Sequence, residues 1–145
     1  MNPQIDVLLE DDNQANVQLT LRAIAPKLPP NRVNVARDGE EAVDGILRSA
    51  SDSSSITAEI DFVGFELPKI SGFDVLLRLK NDLRAKVIPV VVLSSSKQEK
   101  DVLKSYELGA NSYLQKPVDF DEFRDVIRRV ARYWLQLNQA PFLQQ

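Results

Sequence analysis

Residues 61–72 read DFVGFELPKISG, and this stretch decides the fold. Its first half, Asp61 to Phe65, has the aromatic and β-branched content of a buried strand. Pro68 and Gly72 then mark a tight loop, and a helical pattern begins at Phe73. Open α/β sheets place their chemistry where such a strand ends. The stretch therefore predicts a central strand whose carboxyl end borders a functional site.

The composition restricts the class of protein. The chain has 145 residues, 43% hydrophobic and 27% charged, which is typical of one soluble globular domain. It has no cysteine and no histidine, which excludes a disulfide framework, thiolate chemistry, histidine acid–base catalysis and zinc sites of the usual kind. A net charge of −3 gives no general reason to bind nucleic acid, and no run approaches the length of a membrane span. We therefore expect a cytoplasmic protein that binds neither nucleic acid nor membrane.

Strand and helix patterns alternate along the whole chain. Five short strands are predicted, at 5–9, 32–36, 61–65, 88–93 and 111–115. Helical patterns are predicted at 14–28, 42–47, 73–83, 97–108 and 119–137, with Gly109 ending the fourth helix and a serine-rich loop at 49–57. Five βα units with short connections predict a flavodoxin-like (βα)5 doubly wound parallel sheet, for which we choose the order 2-1-3-4-5.

This order makes the first and third strands neighbours. The polar cluster from Glu10 to Asp12 and the loop from Gly64 to Glu66 should therefore converge. Three more polar residues, Ser94, Ser95 and Lys116, stand where the fourth and fifth strands end.

The motifs at these strand ends resemble the receiver domain of two-component response regulators. They are VLLEDDN at 7–13, LPKISG at 67–72, VLSS at 92–95 and GANSYLQKP at 109–117. Residues 133–135 and the proline-containing tail are similar to the small stand-alone regulators paired with cyanobacterial phytochromes. The resemblance implies a receiver domain over 1–137 followed by a tail at 138–145, acting in phosphorelay signalling without an output domain or enzymatic activity.

The family's chemistry assigns a role to each strand end. A carboxylate at the end of the third strand takes a phosphoryl group from a kinase histidine, with Mg²⁺ held by an acidic pair after the first strand. A hydroxyl group and an aromatic side chain then change the face formed by the fourth helix, fifth strand and fifth helix. Carried over, the resemblance implies the acidic pair Asp11 and Asp12, the hydroxyl Ser94, the lysine Lys116 and the aromatic Tyr113.

The resemblance fails at the phosphoacceptor. The position four residues before Pro68 is Gly64, which has no side chain and cannot accept a phosphoryl group. Asp61 is a poor substitute, because strand alternation puts it on the opposite side and about 10 Å down the strand. Glu66 shares the parity of Gly64, and its carboxylate could reach into the site. We therefore predict a pseudo-receiver that acts by phosphorylation-independent protein–protein interaction.

Loss of this carboxylate also weakens the predicted metal site. Asp11, Asp12 and Glu66 remain as ligands of a Mg²⁺ ion whose affinity should be low. Lys116 is expected to form an ion pair with Asp12 or Glu66, which would take over part of the metal's neutralising role.

Purely structural roles remain open for these residues. Asp11 and Asp12 could simply cap the first helix. Ser94 could cap its turn, Tyr113 could only pack, and Trp134 could complete the core.

Glu10 is a second anomaly, because the matching position in the family is usually apolar. A carboxylate in a buried parallel strand costs several kcal/mol unless it is paired. We expect it near the end of the sheet, where a lysine, an arginine or water satisfies it. Alternatively, the register slips by one residue and Glu10 with Asp11 form the acidic pair, although the spacing to Asn13 favours Asp11 and Asp12.

The expected output is contact with another protein through the face of the fourth helix, fifth strand and fifth helix. Its aromatic anchors would be Tyr106, Tyr113, Tyr133 and Trp134. The resemblance implies a homodimer through this face, or binding to a histidine kinase such as a phytochrome-type sensor, or to another receiver.

Two other functions stay open. One is a phosphorylatable receiver, taking its phosphoryl group from a histidine kinase, whose aspartate is replaced at Gly64. The other is a flavin-binding protein on the same fold, which the acidic first loop disfavours because a flavin phosphate prefers hydroxyls and backbone donors.

Overall fold

The sheet has the predicted topology. The computed structural model of the chain describes residues 7–11, 13–24, 33–41, 44, 60–64, 71–83 and 85–139. All five described strands are parallel, in the order β2-β1-β3-β4-β5. They are β1 Val7–Glu10, β2 Val33–Ala36, β3 Ile60–Gly64, β4 Val90–Ser94 and β5 Ser112–Gln115. The flavodoxin-like order predicted from the sequence is confirmed.

The helices follow the predicted alternation. They are α1 Gln14–Ile24, α3 Gly72–Asn81, α4 Glu99–Glu107 and α5 Phe120–Arg132, while residues 39–41 and 44 are the described part of α2. A 3-10 turn covers Ala85–Val87, and the chain leaves α5 through a π-helical turn at Tyr133–Leu137. The predicted loop at 49–57 and most of the second predicted helix lie outside the described residues. None of the described helices has the length and apolarity needed to cross a membrane.

The two faces of the sheet carry separate cores. Side chains alternate along each strand, so Phe62 packs with α1 and α5 while Val63 packs with α3. Every residue of β4 is buried, which confirms its predicted central position. Burial of each large apolar side chain contributes about 2 kcal/mol, so both faces stabilise the sheet.

A lysine fastens the amino-terminal edge of the sheet, opposite the edge where the sequence predicts the site. Lys80 Nζ donates to the carbonyl oxygens of Lys86 at 3.1 Å and Ile88 at 2.8 Å, and to Asn111 Oδ1 at 3.1 Å. The same Asn111 oxygen accepts from the Val90 N–H at 2.8 Å. One ammonium group thus joins the end of α3 to the starts of β4 and β5.

The turn after α4 depends on glycine, as predicted. Gly109 has φ +107°, a conformation that side chains rarely adopt. A Cβ atom there would also lie 2.8 Å from Lys80 Cγ, so the glycine leaves room for the lysine stem.

Candidate functional site

Four of the predicted site residues meet at the carboxyl-terminal edge of the sheet. Asp11 follows β1, Gly64 ends β3, Ser94 ends β4 and Lys116 follows β5. The Lys116 N–H donates to the Ser94 carbonyl oxygen at 2.7 Å, which joins the last two strand ends. Asp12 and Glu66, the other predicted metal ligands, lie outside the described residues.

Asp11 is buried and paired with a cation. Its carboxylate is 5% exposed, and Lys116 Nζ lies 3.0 Å from Oδ2. The other oxygen, Oδ1, accepts from the Asn13 N–H at 2.9 Å. Asn13 in turn caps α1, because its Oδ1 accepts from the Asn16 N–H at 3.1 Å. Asp11 is therefore neutralised within the chain by a lysine for which the sequence predicted other partners, Asp12 or Glu66.

Gly64 leaves no open space beside Asp11. A Cβ atom built on Gly64 would lie 2.9 Å from the Glu10 carbonyl oxygen and 3.7 Å from Asp11 Cγ. The first distance is shorter than real Cβ contacts, and the second would place a side chain directly against the carboxylate. Position 64 therefore faces the carboxyl-terminal edge of the sheet beside Asp11, which we call the acidic edge, as the sequence predicted. The backbone of β1, however, fills the space where a side chain would begin.

The described part of the site does not fit a divalent cation. Within the described ranges no three acidic side chains come together in a way that could hold a metal. Asp11 uses both oxygens within the chain, and a Mg²⁺ ion at Oδ2 would have to displace Lys116 Nζ. Mg²⁺ prefers carboxylate ligands in a near-octahedral arrangement, which Gly64 cannot supply.

The loop between β4 and α4 is tied down at several points. Ser94 is buried and its Oγ accepts from the Ser96 N–H at 3.0 Å. Tyr113 donates its hydroxyl to the Ser96 carbonyl oxygen at 2.7 Å, and Ser96 Oγ donates to Asp101 Oδ2 at 2.6 Å. Ser94 therefore caps its turn, and Tyr113 fixes the loop from β5.

A pair of buried acids, Glu10 and Asp61, lies on the other face of the sheet from Asp11. Glu10 is 1% exposed and Asp61 is 0% exposed. Both alternate with residues of the α1 and α5 core, so both point to the α3 face from adjacent strands in register. Glu10 is the last residue of β1, as expected for a position near the end of the sheet, but its side chain is buried and its Oε2 has no hydrogen-bond partner among the described residues.

The environment of this pair favours protonation. Burial, followed by the charge and hydrogen bonding of Asp61, holds the pKa of Glu10 well above its usual value. Burial also raises the pKa of Asp61 to about 6, although a hydrogen bond from Glu10 and the charge of Lys80 oppose the shift. Burial lowers the pKa of Lys80, and Asp61 counteracts this. Each acid thus affects the other: Asp61 raises the pKa of Glu10, and Glu10 counteracts the rise in the pKa of Asp61.

Satisfaction of the pair is incomplete. Among the described residues, neither Asp61 oxygen nor Glu10 Oε2 has a hydrogen-bond partner of good geometry. The two carboxyl groups are near enough to affect each other's pKa. Sequence reasoning singled out Glu10 and missed Asp61 as its partner; the available signal was two acids in adjacent apolar strands, on the same face.

The predicted interface residues divide into two groups. Tyr106 on α4 is 48% exposed and Tyr133 after α5 is 50% exposed. Trp134 packs against the core of the α1 and α5 face, with its ring edge-to-face with Tyr133 at 5.1 Å between centroids. Tyr113 packs partly against the core on the α3 face.

A groove of about 390 Å³ lies between α1 and α5, lined by Ile24, Leu135 and three arginines, Arg128, Arg129 and Arg132. It is separate from the acidic edge, because none of its lining residues belongs to the site described above.

Comparison with known proteins agrees with this arrangement of strand ends. The model of the response regulator receiver domain matches residues 7–128. The probable methanogenesis regulatory protein FilR2 of Methanothrix harundinacea is 33% identical over 135 residues, covering 93% of this chain and 86% of that protein. Response regulator Rcp1 of Synechocystis is 29% identical over 140 residues, covering 97% of this chain and 95% of Rcp1.

Solved structures give the same answer. The crystal structure of the phosphorylated cyanobacterial phytochrome response regulator RcpA superposes with a TM-score of 0.86 at 31% identity, covering 97% of this chain and 100% of RcpA. A Mn²⁺-bound form of Rcp1 superposes with a TM-score of 0.84. The fold, the strand-end residues and these likenesses agree, and the chain belongs to the response regulator receiver domain family.

Proposed function

We propose that this chain is a pseudo-receiver, a signalling module of a two-component system that acts by protein–protein contact without being phosphorylated at the usual position. Gly64 carries the proposal: it ends β3 beside Asp11, where the family's chemistry needs a carboxylate, and it offers no side chain. The Asp11–Lys116 ion pair supports it, because the lysine that would face a phosphoryl group is engaged by the chain itself. We assign no enzymatic activity to the module, and we place the receiver domain at 1–137 and the tail at 138–145.

The direct test is the intact mass of the protein after incubation with Mg²⁺ and acetyl phosphate. RcpA, whose crystal structure is of the phosphorylated form, serves as the positive control. We expect no phosphoryl adduct on the unaltered chain under conditions that modify RcpA. An adduct would contradict the proposal and direct attention to Glu66 as a substitute acceptor. It would also favour the alternative of a receiver that is phosphorylated by a histidine kinase.

Any Mg²⁺ site is proposed to be weak. Rcp1 was crystallised with Mn²⁺ bound. In this chain Asp11, Asp12 and Glu66 would form the site, without a carboxylate at position 64 and in competition with Lys116 for Asp11. Titration calorimetry with Mg²⁺ on this chain and on Rcp1 should give a clearly lower affinity for this chain.

The proposed partners bind the face of α4, β5 and α5. Exposed apolar side chains on α4, Leu103 at 60% and Tyr106 at 48%, together with Tyr133 at 50%, support a contact surface there. A homodimer through this face is the first candidate, and a histidine kinase, such as a phytochrome-type sensor, or another receiver is the second. Sedimentation analysis of the parent and of Tyr106→Ala tests the homodimer; Tyr113 and Trp134 are left intact because they also pack in the core.

A further inference from the structure

The end of β1 lies unusually close to the end of β3. A Cβ atom at position 64 would be 2.9 Å from the carbonyl oxygen of Glu10, nearer than real Cβ atoms approach such a group. The atom that it meets belongs to the main chain, so no side-chain rotation can relieve the contact. Every residue except glycine at position 64 therefore requires a displacement of β1 away from β3.

The same two strands carry the two buried acids on their opposite face. Glu10 is paired in register with Val63, and Asp61 stands two residues before Val63 on the same face. Because carboxyl groups at such diagonal positions are within reach of each other, each is a polar neighbour for the other in an otherwise apolar core. Glu10, one of these two acids, is also the residue whose carbonyl oxygen lies against position 64.

Asp11 provides a second hold on the end of β1. Its main-chain N–H donates to the Ala36 carbonyl oxygen at 3.1 Å, and its side chain is held by Lys116 at 3.0 Å and by the Asn13 N–H at 2.9 Å. A carboxylate added at position 64 would start 3.7 Å from Asp11 Cγ and would compete for Lys116. The contacts of Asp11 with Ala36, Lys116 and Asn13 thus hold the end of β1 in the position that leaves no room for a side chain at 64.

We propose that Glu10 and Asp61 are positioning residues that make position 64 a site for glycine alone, so that the acidic edge is rebuilt around the missing side chain. This inference rests on the proposed function in taking Gly64 as the place of the absent phosphoacceptor. It goes further, because it states that a carboxylate restored at that position does not by itself restore the site.

The experiment compares Gly64→Ala in two backgrounds, the parent chain and Glu10→Val/Asp61→Val, by urea unfolding. In the parent, the added Cβ atom should lower the folding equilibrium constant about tenfold or more. In the background without the acids, β1 can relax and the loss should be clearly smaller. Val91→Ala, in the core between the sheet and the helices α1 and α5, is the matched control. It should lower the free energy of unfolding by the same amount in both backgrounds. If Glu10→Val/Asp61→Val fails to fold, Asp61→Val alone removes one of the two acids and serves as the second background.

Phosphorylation of Gly64→Asp with Mg²⁺ and acetyl phosphate is the second measurement. We expect no adduct on this variant in the parent background. An adduct there, or equal costs of Gly64→Ala in the two backgrounds, would overturn the inference. An adduct on the unaltered protein is a different result: it contradicts the pseudo-receiver proposal and leaves the stability comparison at position 64 unaffected.

Discussion

Asp11 and Glu10 are consecutive residues with almost the same burial, yet their carboxyl groups are in opposite electrostatic situations. Asp11, 4% exposed, faces the edge of the sheet, where its two oxygens accept from Lys116 Nζ and from the Asn13 N–H. Glu10, 1% exposed, faces the α3 core, where its described neighbour is another acid. The difference teaches that the neighbouring groups, and not depth alone, set the electrostatic environment of a buried acid in this sheet.

Removal of Lys116 should leave the Asp11 carboxylate without its positive partner and give the largest decrease in the free energy of unfolding. Lys116→Met leaves the buried carboxylate of Asp11 without its cation, and loss of one partner of a buried pair costs about 3 kcal/mol. Urea unfolding at pH 7 measures the change. Lys86→Met, at an exposed lysine, is the matched control and should change the free energy of unfolding by less than about 0.5 kcal/mol.

A double variant sharpens this test. Asp11→Asn combined with Lys116→Met removes both charges, so the loss should be smaller than for Lys116→Met alone. An equal loss in the two variants would mean that the ion pair is not what Lys116 contributes.

The buried acids Glu10 and Asp61 should make the free energy of unfolding decrease as pH rises. The folded state raises the pKa of Asp61 from 3.8 to about 6 and that of Glu10 well above 4.5, so it holds more protons than the unfolded chain in this range. Stability from these groups is therefore greatest below about pH 4 and is lost as pH rises through 6 and beyond. At about 1.4 kcal/mol per pKa unit, the Asp61 shift alone corresponds to roughly 3 kcal/mol.

The measurement is the free energy of unfolding of the parent and of Glu10→Gln/Asp61→Asn at pH 5 and pH 8. The difference between the two proteins should shift in favour of the variant at pH 8, since the amides do not ionise. Parallel pH profiles would show that the two acids do not titrate together in the core.

Removal of the Tyr113 hydroxyl group should give the smallest change in the free energy of unfolding. Tyr113→Phe deletes the 2.7 Å bond to the Ser96 carbonyl oxygen and should cost about 1 kcal/mol. Amide exchange of residues 96–98 should accelerate, because the loop loses its tie to β5. Tyr133→Phe, at a half-exposed tyrosine, should leave both quantities unchanged; exchange that stays slow in Tyr113→Phe would show that the other loop contacts suffice.

The fold was predictable because its information is local and repeated. The alternation of apolar strands with amphipathic helices predicted a parallel (βα)5 sheet, for which the chosen flavodoxin-like order is the one observed. The positive φ of Gly109 followed from its place after α4. The meeting of Asp11, Gly64, Ser94 and Lys116 followed in turn from the parallel sheet, since all four stand at strand ends.

Pairing between side chains was harder to predict. The sequence identified Lys116 as one half of an ion pair but favoured Asp12 or Glu66, because distances between strand ends depend on strand spacing and twist rather than on motif positions. It discounted Asp61 for phosphorylation, and its neighbour across the strands emerged only with the register of β1 against β3. The close approach at Gly64 is likewise a property of backbone positions that no residue pattern specifies.

The lysine that fastens the amino-terminal edge has a consequence for the order in which the chain folds. Lys80 reaches Asn111 across 31 residues and joins α3, β4 and β5, whereas β1 must find β3 across the longer separation between Val7 and Ile60. Shorter loops close at a lower entropic cost, so we expect the α3–β5 half to form first and to protect its amides longest. The contact between Asp11 and Gly64 needs β1 against β3, so we expect this edge of the sheet to form after the α3–β5 half.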